Sequence, residues 1–397
     1  MMSKITRNAF LLLALICCGC LHAQTPPPAA KAEPGPVPAA PQLGAASYIL
    51  MDFNSLSVLV EHNADAHVEP ASITKLMTSY VVFKELAAGH IHLEDKVTVS
   101  EKAWRAEGSR MFIEPSMTPT VEQLIRGMVI QSGNDASVAL AEHVAGGEDA
   151  FAGLINHYAA ALGMTGSHFQ DATGLTVEGH YMTARDIALL SAAIIREFPE
   201  FYAWFSEKEY TFNEIRQHNR NTLLWRDPAI DGLKTGHTDA AGFCLAASAM
   251  RDGMRLISVV MGSTSESERA SESQTLLNYG FRFFETVQLY KARTELAKGR
   301  VWKGKTDEVS LGLAEPLYVT FPRGRYKELD GQVALQPRLR APLAVDTAVG
   351  SITVRLADDV VASRDLITLN AVEEAGIFGR AWDNIRLWAG GLFSHEK

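Results

Sequence analysis

The chain has 397 residues, of which 47% are hydrophobic and 21% are charged, so it is long enough for two or three domains with apolar cores. This composition excludes a disordered or fibrous protein. A formal net charge of -9 argues against nucleic acid as a partner, because phosphates are bound by clustered Lys and Arg.

The first residues have the pattern of a secretory signal. Lys4 and Arg7 precede an apolar run that begins at about Ala9, and a small residue follows it at Ala23. Since the run is too short to span a bilayer comfortably, we predict an exported protein whose signal peptide, residues 1–23, is cleaved after Ala23. An uncleaved anchor is the alternative.

Cysteine usage agrees with an exported protein that depends on its packed core. Three of the four cysteines lie within the signal segment, so Cys244 is alone in the mature chain and no intramolecular disulfide is expected. Cys244 lies in an apolar strand-like segment and is predicted to be a small buried hydrophobe. A lipoprotein modified at Cys18 or Cys20 is an alternative, although the residues before each cysteine fit a lipobox poorly.

The next segments predict a spacer and then one sheet covered by helices. Residues 24–44 are nearly all Pro, Ala and Gly, which favours an extended spacer. Apolar runs on either side of Asn54 and Ser55 predict a hairpin. Helical periodicity follows over residues 71–88, 121–131, 134–145, 150–162, 183–197 and 266–286. Strand-like segments lie between the last two of these helices, around 209–212, 228–235, 241–249 and 255–262.

The last part of the chain predicts two further units. Beyond about Glu285, short runs such as LYVTF and SITVRL are separated by Gly, Pro, Asp and Arg, which indicates a small all-β domain. We therefore predict a mixed α/β fold with a first domain over 45–284, a β-rich domain over 285–375 and a helix over 376–397.

The C-terminal segment has an amphipathic pattern. Its apolar residues recur at three- and four-residue intervals at Phe378, Ala381, Trp382, Ile385, Trp388 and Leu392. Such a stripe with two tryptophans suits a helix in a membrane interface, and packing against the β-rich domain is the alternative.

A serine and a lysine stand one helical turn apart in PASITKLMTSY, at Ser72 and Lys75. Serine is a poor nucleophile unless a base lies within hydrogen-bond reach, and positions i and i+3 of a helix share a face. Near a helix N-terminus the dipole disfavours a proton on Lys75. A serine near a helix start beside a solvated lysine is the alternative, because such a pair alone is weak evidence.

Two further motifs favour the catalytic interpretation of Ser72 and Lys75 over the alternative. QSGND contains Ser132 and Asn134 between two helical runs, and DGLKTGHT contains Lys234, Thr235 and Gly236 at the end of a strand-like segment. A helix cap and a β-turn would explain each motif alone. Together, in the order SxxK, SGN, KTG, they resemble the penicillin-binding and serine β-lactamase superfamily.

A closer resemblance, to one family within this superfamily, covers nearly the whole mature chain. PASITKLMTSYVV, FNEIRQHNRNTLLW, DGLKTGHTDAAGF and LLNYGFRFFETV are similar to the low-molecular-mass D-alanyl-D-alanine carboxypeptidases of Gram-negative bacteria. The resemblance implies a transpeptidase-like domain with an antiparallel sheet, a second β-rich domain, and a C-terminal helix that anchors the protein on the outer face of the inner membrane. The stretch QDATGLTVEGHYMTARD, residues 170–186, departs from the family pattern, so deacylation rate and substrate preference are the features that transfer least.

The resemblance also implies roles for matched residues. Ser72 would be the acylated nucleophile, Lys75 its base, and Ser132 the relay of the proton to the leaving D-alanine. Asn134 would hold a substrate amide. The other implied binding residues are Lys234 and Thr235 at the terminal carboxylate, Gly236 for close approach, the backbone N–H groups of Ser72 and His237 as oxyanion donors, and Arg220 and Arg269 near the site.

Three of these assignments have alternatives. Arg269 is the better arginine for the substrate carboxylate, but it could be a solvated helix charge. The His237 side chain is as easily structural as catalytic. His90 and His92 form an HxH pair without further ligands at regular spacing, so we expect no metal and no other cofactor.

The leading functional hypothesis is an exported, periplasmic serine D-alanyl-D-alanine carboxypeptidase that trims peptidoglycan stem peptides and is acylated by β-lactams. A β-lactamase on the same fold is the first alternative, although no Glu followed by Leu-Asn appears after the SGN motif. A non-catalytic wall-binding protein is the second. A transpeptidase is a milder variant, because water and an amine compete for one acyl-enzyme.

Overall fold

A computed structural model describes residues 37–377 of the protein. The helices are α1 (Thr74–Ala87), α2 (Glu101–Trp104), α3 (Val121–Ile130), α4 (Asn134–Ala145), α5 (Glu148–Ala161), α6 (Ala184–Glu197), α7 (Pro199–Tyr202), α8 (Leu223–Arg226) and α9 (Glu266–Phe283). The strands are β1 (Ser47–Asp52), β2 (Val58–His62), β3 (Glu209–Phe212), β4 (Ile215–His218), β5 (Ile230–Thr238), β6 (Gly242–Arg251), β7 (Met254–Ser263), β8 (Phe284–Tyr290), β9 (Ala297–Trp302), β10 (Glu308–Gly312), β11 (Leu317–Pro322), β12 (Leu329–Leu335), β13 (Leu339–Arg340), β14 (Ala348–Leu356) and β15 (Asp359–Thr368).

The first sheet is antiparallel and has the order β2-β1-β7-β6-β5, which leaves β5 at an edge. Successive side chains of a strand point to opposite faces, so β1 contributes to two cores. Ile49 and Met51 join the large core with helices α1 and α3–α6. Tyr48 and Leu50 join the core on the other side with α9. Residues 48–51 of the strand are all apolar because both of its faces are covered.

Side-chain caps set where several helices begin. Thr120 accepts the N–H of Gln123, whose side chain accepts the N–H of Thr120, which completes a capping box at α3. Thr183 caps α6 and Ser265 caps α9 in the same position. The polar residues at these boundaries therefore satisfy backbone N–H groups that the helix itself leaves unpaired.

The β-rich region follows α9 without a linker, because β8 begins directly after Phe283. It contains a six-stranded sheet of order β12-β14-β15-β10-β9-β13 and the pair β11-β8. The buried carboxylate of Asp52 ties this region to the first sheet: it accepts the hydroxyl of Thr286 at 2.7 Å, and Thr286 contacts Thr320 at 2.7 Å. Ser55 also contacts Thr320, at 2.6 Å. The junction is therefore a fully bonded polar cluster.

The mixed α/β prediction and the first hairpin are confirmed, and two boundaries are wrong. The helix predicted from residue 71 begins with a 3₁₀ turn, Ala71–Ile73, and the helix predicted to end at 286 ends at Phe283. The short elements α2, α7, α8 and β4 were not predicted, because four residues contain too little periodicity.

Cys244 is buried as predicted, and burial raises the pKa of its thiol to about 11. The end of the predicted spacer packs onto the protein, since Leu43 contacts the α9 core and Gly44 donates its N–H to Glu272 at 2.7 Å. The predicted signal, residues 1–23, and the helical stripe from Phe378 onward lie outside the described residues.

Candidate active site

A cleft of about 250 Å³ lies between the edge strand β5, the 3₁₀ turn and the loop that leads into α4. Its lining includes most of the residues that the motifs singled out, namely Ser72, Ser132, Asn134, Arg220, Thr235, Gly236, His237 and Arg269. Lys75 and Lys234 lie beneath this surface, each against a serine hydroxyl. The structure thus brings all of the predicted site residues to one place.

Close backbone packing positions the 3₁₀ turn that carries Ser72. A Cβ at Gly236 would lie 2.8 Å from the Pro70 carbonyl oxygen, and a Cβ at Gly174 only 1.8 Å from that of Ala71. Only glycine lets β5 and the loop around Gly174 approach the turn this closely. Ala71 itself adopts a φ of +48°, a conformation that costs free energy and is typical of functional sites.

The amine of Lys75 lies 2.9 Å from Ser72 Oγ and donates to the Thr173 carbonyl oxygen at 2.7 Å. The side chain is completely buried. Burial lowers the pKa of Lys75 to about 7, with Arg220 adding to the effect and the charges of Asp171 and Asp135 opposing it. A substantial fraction of this amine is therefore neutral near pH 7 and can accept a proton. Burial is the largest cause of this shift.

Ser132 and Lys234 form the second pair. Lys234 Nζ donates to Ser132 Oγ at 2.8 Å and to the Thr235 carbonyl oxygen at 3.0 Å. Burial lowers the pKa of Lys234 well below its ordinary value, and the nearby charges of Lys75, Arg220 and Arg269 lower it further. In the lining of the cleft two arginines, Arg220 and Arg269, stand against one carboxylate, Glu266, which favours an anionic ligand.

Asn134 presents an acceptor to the cleft. Its Nδ2 donates to the Glu107 carbonyl oxygen at 2.6 Å, whereas its buried Oδ1 has no hydrogen-bond partner within residues 37–377. A buried acceptor without a partner costs free energy unless a ligand supplies the donor. The side chain is therefore set to receive an N–H group.

The two arginines differ in exposure. Arg269 is only 5% exposed, lies over the Phe243 ring, contacts Glu266 at 3.3 Å and donates to the Gly236 carbonyl oxygen at 3.3 Å. It is therefore not a solvated helix charge. Arg220 is exposed and donates to the Gln131 carbonyl oxygen at 3.3 Å. Both guanidinium groups belong to the cleft wall.

The side chain of His237 is exposed, and its ring lies against that of Phe243 at 4.0 Å between centroids, tilted by 31°. This ring contact favours a structural role for the side chain. Its backbone lies at an edge of the sheet, because among the strands of residues 37–377 β5 pairs with β6 alone. An extended ligand could therefore pair with this edge.

Sequence reasoning missed the groups behind Lys75, which are Asp171, Thr173 and His180. They lie in the stretch 170–186, where no motif marked them. An Asp two residues before a Thr-Gly pair is a turn signal that could have indicated the local structure, but not its contact with Lys75.

Comparison with known proteins identifies what the chain resembles. A family profile described as D-alanyl-D-alanine carboxypeptidase matches residues 35–265, and one described as penicillin-binding protein 5, C-terminal domain, matches residues 284–374. The D-alanyl-D-alanine carboxypeptidase DacA of Escherichia coli K12 is 47% identical over 367 residues, 90% of each chain.

Solved structures give the same result. Penicillin-binding protein 5 from Haemophilus influenzae has a TM-score of 0.82 and 42% identity, covering 85% of this chain and 99% of its own. The ampicillin-bound form of penicillin-binding protein D2 from Listeria monocytogenes has a TM-score of 0.57 and 30% identity, covering 62% of this chain and all of its own (100%).

Proposed function

The chain belongs to the D-alanyl-D-alanine carboxypeptidase family, and on this premise we propose that it removes the terminal D-alanine from peptidoglycan pentapeptide stems through an acyl-enzyme on Ser72. The observation that carries the proposal is the 2.9 Å contact between Ser72 Oγ and the buried amine of Lys75. A lysine whose pKa is about 7 can act as a base under conditions in which an ordinary lysine cannot.

In the first step Lys75 takes the proton of Ser72, and Ser72 Oγ attacks the carbonyl carbon of the penultimate D-alanine. The oxyanion is held by the backbone N–H groups of Ser72 and His237, whose residues line the cleft. One such donor contributes about 2.7–4 kcal/mol of transition-state stabilisation. The result is a tetrahedral intermediate on Ser72.

In the second step the peptide C–N bond breaks. The leaving amine receives the proton through the Ser132 hydroxyl, which the 2.8 Å contact with Lys234 orients. Water then attacks the ester on Ser72 and gives a proton back to the site, so that the tetrapeptide acid leaves and Ser72 regains its hydroxyl. Each turnover consumes one water and releases one D-alanine.

Substrate recognition follows from the polar groups of the cleft. The terminal carboxylate is bound by Lys234, Thr235 and Arg269, where the cationic groups are concentrated. Asn134 Oδ1 accepts an N–H of the stem peptide, which supplies the donor that the described residues do not offer to this buried atom. The peptide backbone runs along the free edge of β5 and Gly236.

β-Lactams acylate Ser72 in this account, because their strained amide mimics the D-alanyl-D-alanine bond. The Listeria protein bound to ampicillin supports this, since it has the same fold. Rapid hydrolysis of the drug is not proposed, because the deacylating Glu of the Glu–Leu-Asn pattern is missing after the SGN motif. The β-lactamase alternative predicts an adduct that turns over within seconds.

The protein acts in the periplasm, peripherally attached to the outer face of the inner membrane. The charged and apolar pattern of residues 1–23 supports export, and the stripe within 376–397 supports anchoring. Residues 45–284 then form the catalytic unit, and 285–375 form a β-rich unit between it and the membrane. Within residues 37–377 no helix combines the length and apolar character needed to cross a bilayer.

The test is to incubate the purified mature protein with a pentapeptide ending in D-Ala-D-Ala and to measure product masses. We expect loss of one alanine and no dimeric product, and no reaction with Ser72→Ala. A dimeric product would indicate a transpeptidase, and full trimming by Ser72→Ala would refute catalysis at Ser72.

A further inference from the structure

We infer that Asp171 and His180 are positioning residues for Lys75, holding the Thr173 carbonyl oxygen and the first turn of α1 against each other around the amine. The inference rests on the proposed function, in which Lys75 is the base for Ser72. Neither residue touches the reacting atoms, and both belong to the stretch 170–186.

Asp171 shapes the turn that carries the Thr173 carbonyl. Its Oδ1 accepts the Thr173 N–H at 2.6 Å, the Thr173 hydroxyl at 2.8 Å and the Gly174 N–H at 2.7 Å. These three donors fix the peptide planes on both sides of Thr173. The carbonyl is thereby aimed at Lys75 Nζ, which it meets at 2.7 Å. The loop that carries the acceptor is therefore organised by one carboxylate.

His180 connects this loop to the helix of the base. Its Nδ1 lies 3.3 Å from Asp171 Oδ2, and its Nε2 lies 2.9 Å from the hydroxyl of Thr74, the residue before Lys75. The ring is only 5% exposed and packs edge-on against Phe169 at 5.6 Å between centroids. Nδ1 also accepts the Gln170 N–H at 3.3 Å, so the ring contacts the loop at two points and α1 at one.

Asp171 is ionised at neutral pH. Burial alone would raise its pKa, but the hydrogen bonds and charge of His180 and the N–H groups of Gly174 and Thr173 outweigh burial and lower the pKa to about 2. A fixed negative charge therefore stands behind Lys75.

The charged groups that face Lys75 decide in which direction its pKa moves when Asp171 loses its charge. Asp171 and Asp135 favour its protonated form, whereas Arg220 and Lys234 disfavour it. The carboxylate of Asp135 also accepts three backbone N–H groups at Met111–Ile113. Asp171 is the larger of the two acidic contributions, and it shares a hydrogen-bond chain with the base through Thr173. Loss of its charge therefore lets the pKa of Lys75 fall further.

The decisive experiment compares the pH profile of Ser72 acylation by a fluorescent penicillin in the wild type and in Asp171→Asn. We expect the acid limb of the profile to move to lower pH by about one unit, because an opposing charge is removed. The plateau rate should fall roughly tenfold to hundredfold, because the base is less well placed. A purely structural role would lower the rate without moving the limb.

Asp186→Asn is the matched control. Asp186 is also buried and also organises a loop, accepting the Gly166 N–H at 2.9 Å and the Ser167 hydroxyl at 2.7 Å. The acid limb of the acylation profile of Asp186→Asn should stay at the wild-type position. An unmoved limb in Asp171→Asn would overturn the inference and leave the proposed function intact. A wild type that forms no adduct would instead overturn the proposed function.

The contribution of His180 is tested with His180→Phe, which keeps the ring against Phe169 and removes both nitrogens. Acylation should slow, and combination with Asp171→Asn should add little, because both act through one carbonyl. Thr74→Val removes the hydroxyl partner on α1 and covers the case in which His180→Phe fails to fold. Full additivity, or wild-type acylation in Thr74→Val, would overturn the role of His180.

Discussion

The cleft and the β-rich region differ in whether their charged side chains are buried. Around the cleft, Lys75, Asp135, Lys234 and Arg269 are all buried. In the described part of the β-rich region, from Phe284 onward, every buried side chain is apolar apart from two threonines. Burying a charge costs free energy unless it is paired or hydrogen-bonded. The first domain therefore carries this cost, at the cleft and at structural carboxylates such as Asp52 and Asp186, whereas the described part of the β-rich region avoids it.

Ion pairs of the β-rich region lie on its surface. Examples are the contacts of Arg293 with Asp346 and of Arg325 with Glu328. Such pairs are screened by water and salt and contribute little to stability. The apolar clusters under the two sheets supply the stability instead.

The largest expected effect follows from removing the buried amine of the cleft. Lys75→Met should slow acylation of Ser72 by about 10³-fold or more, because the hydroxyl loses its base. The rate of adduct formation with a fluorescent penicillin measures this. Lys305→Met is the control, because that amine pairs with the exposed Glu373 on the β-rich surface and should leave the rate unchanged. A rate within about tenfold of the wild type in Lys75→Met would contradict the assignment.

Removing the second hydroxyl of the cleft should have the next largest effect. Ser132→Ala should lower kcat/KM for a peptide substrate by about 10²-fold, because the leaving amine loses its proton relay. A thioester analogue needs little protonation of its leaving group, so its loss should be much smaller. Steady-state kinetics with both substrates decides this, and equal losses would contradict a relay at Ser132.

A moderate effect is expected where the two regions meet. Thr286→Val removes one donor from the buried carboxylate of Asp52 and should lower the free energy of unfolding by about 1–2 kcal/mol. Urea denaturation measures the change. Thr353→Val is the control: Thr353 is a half-buried residue of β14 whose hydroxyl contacts Ser363 at only 3.4 Å, so the midpoint should stay nearly unaltered. Equal midpoints in the two variants would show that the junction cluster is not stabilising.

The smallest effect is expected on the β-rich surface. Arg325→Ala breaks the contact with Glu328 and should change neither the denaturation midpoint nor the acylation rate measurably. A clear fall in either quantity would show that this surface ion pair contributes to stability or to acylation, contrary to the expectation.

The convergence of three distant segments was predictable from the sequence. The residue types in SxxK, SGN and KTG specify the chemistry, and the resemblance placed them in one cleft. Local pattern also predicted the central strands, because apolar runs such as that of β7 are buried on both faces.

The supporting residues were not predictable, because their role depends on loop geometry. Nothing in the letters of 170–186 indicates that the Thr173 carbonyl reaches Lys75, since the contact crosses 98 positions of the chain. The role of Asn134 was equally hidden: its Oδ1 has no partner in the described part of the chain because the Glu107 carbonyl binds the Nδ2 of the same amide. The low pKa of Lys75 likewise depends on burial, which a helical repeat does not report.

The most direct test of the account is the pH dependence of Ser72 acylation by a penicillin in the wild-type protein. Lys75 must be neutral to accept the proton, and its pKa is about 7, so the rate should be low in acid and rise through a midpoint near pH 7. A rate that is flat across this range, or that rises only near pH 10, where an ordinary lysine loses its proton, would contradict a buried neutral base.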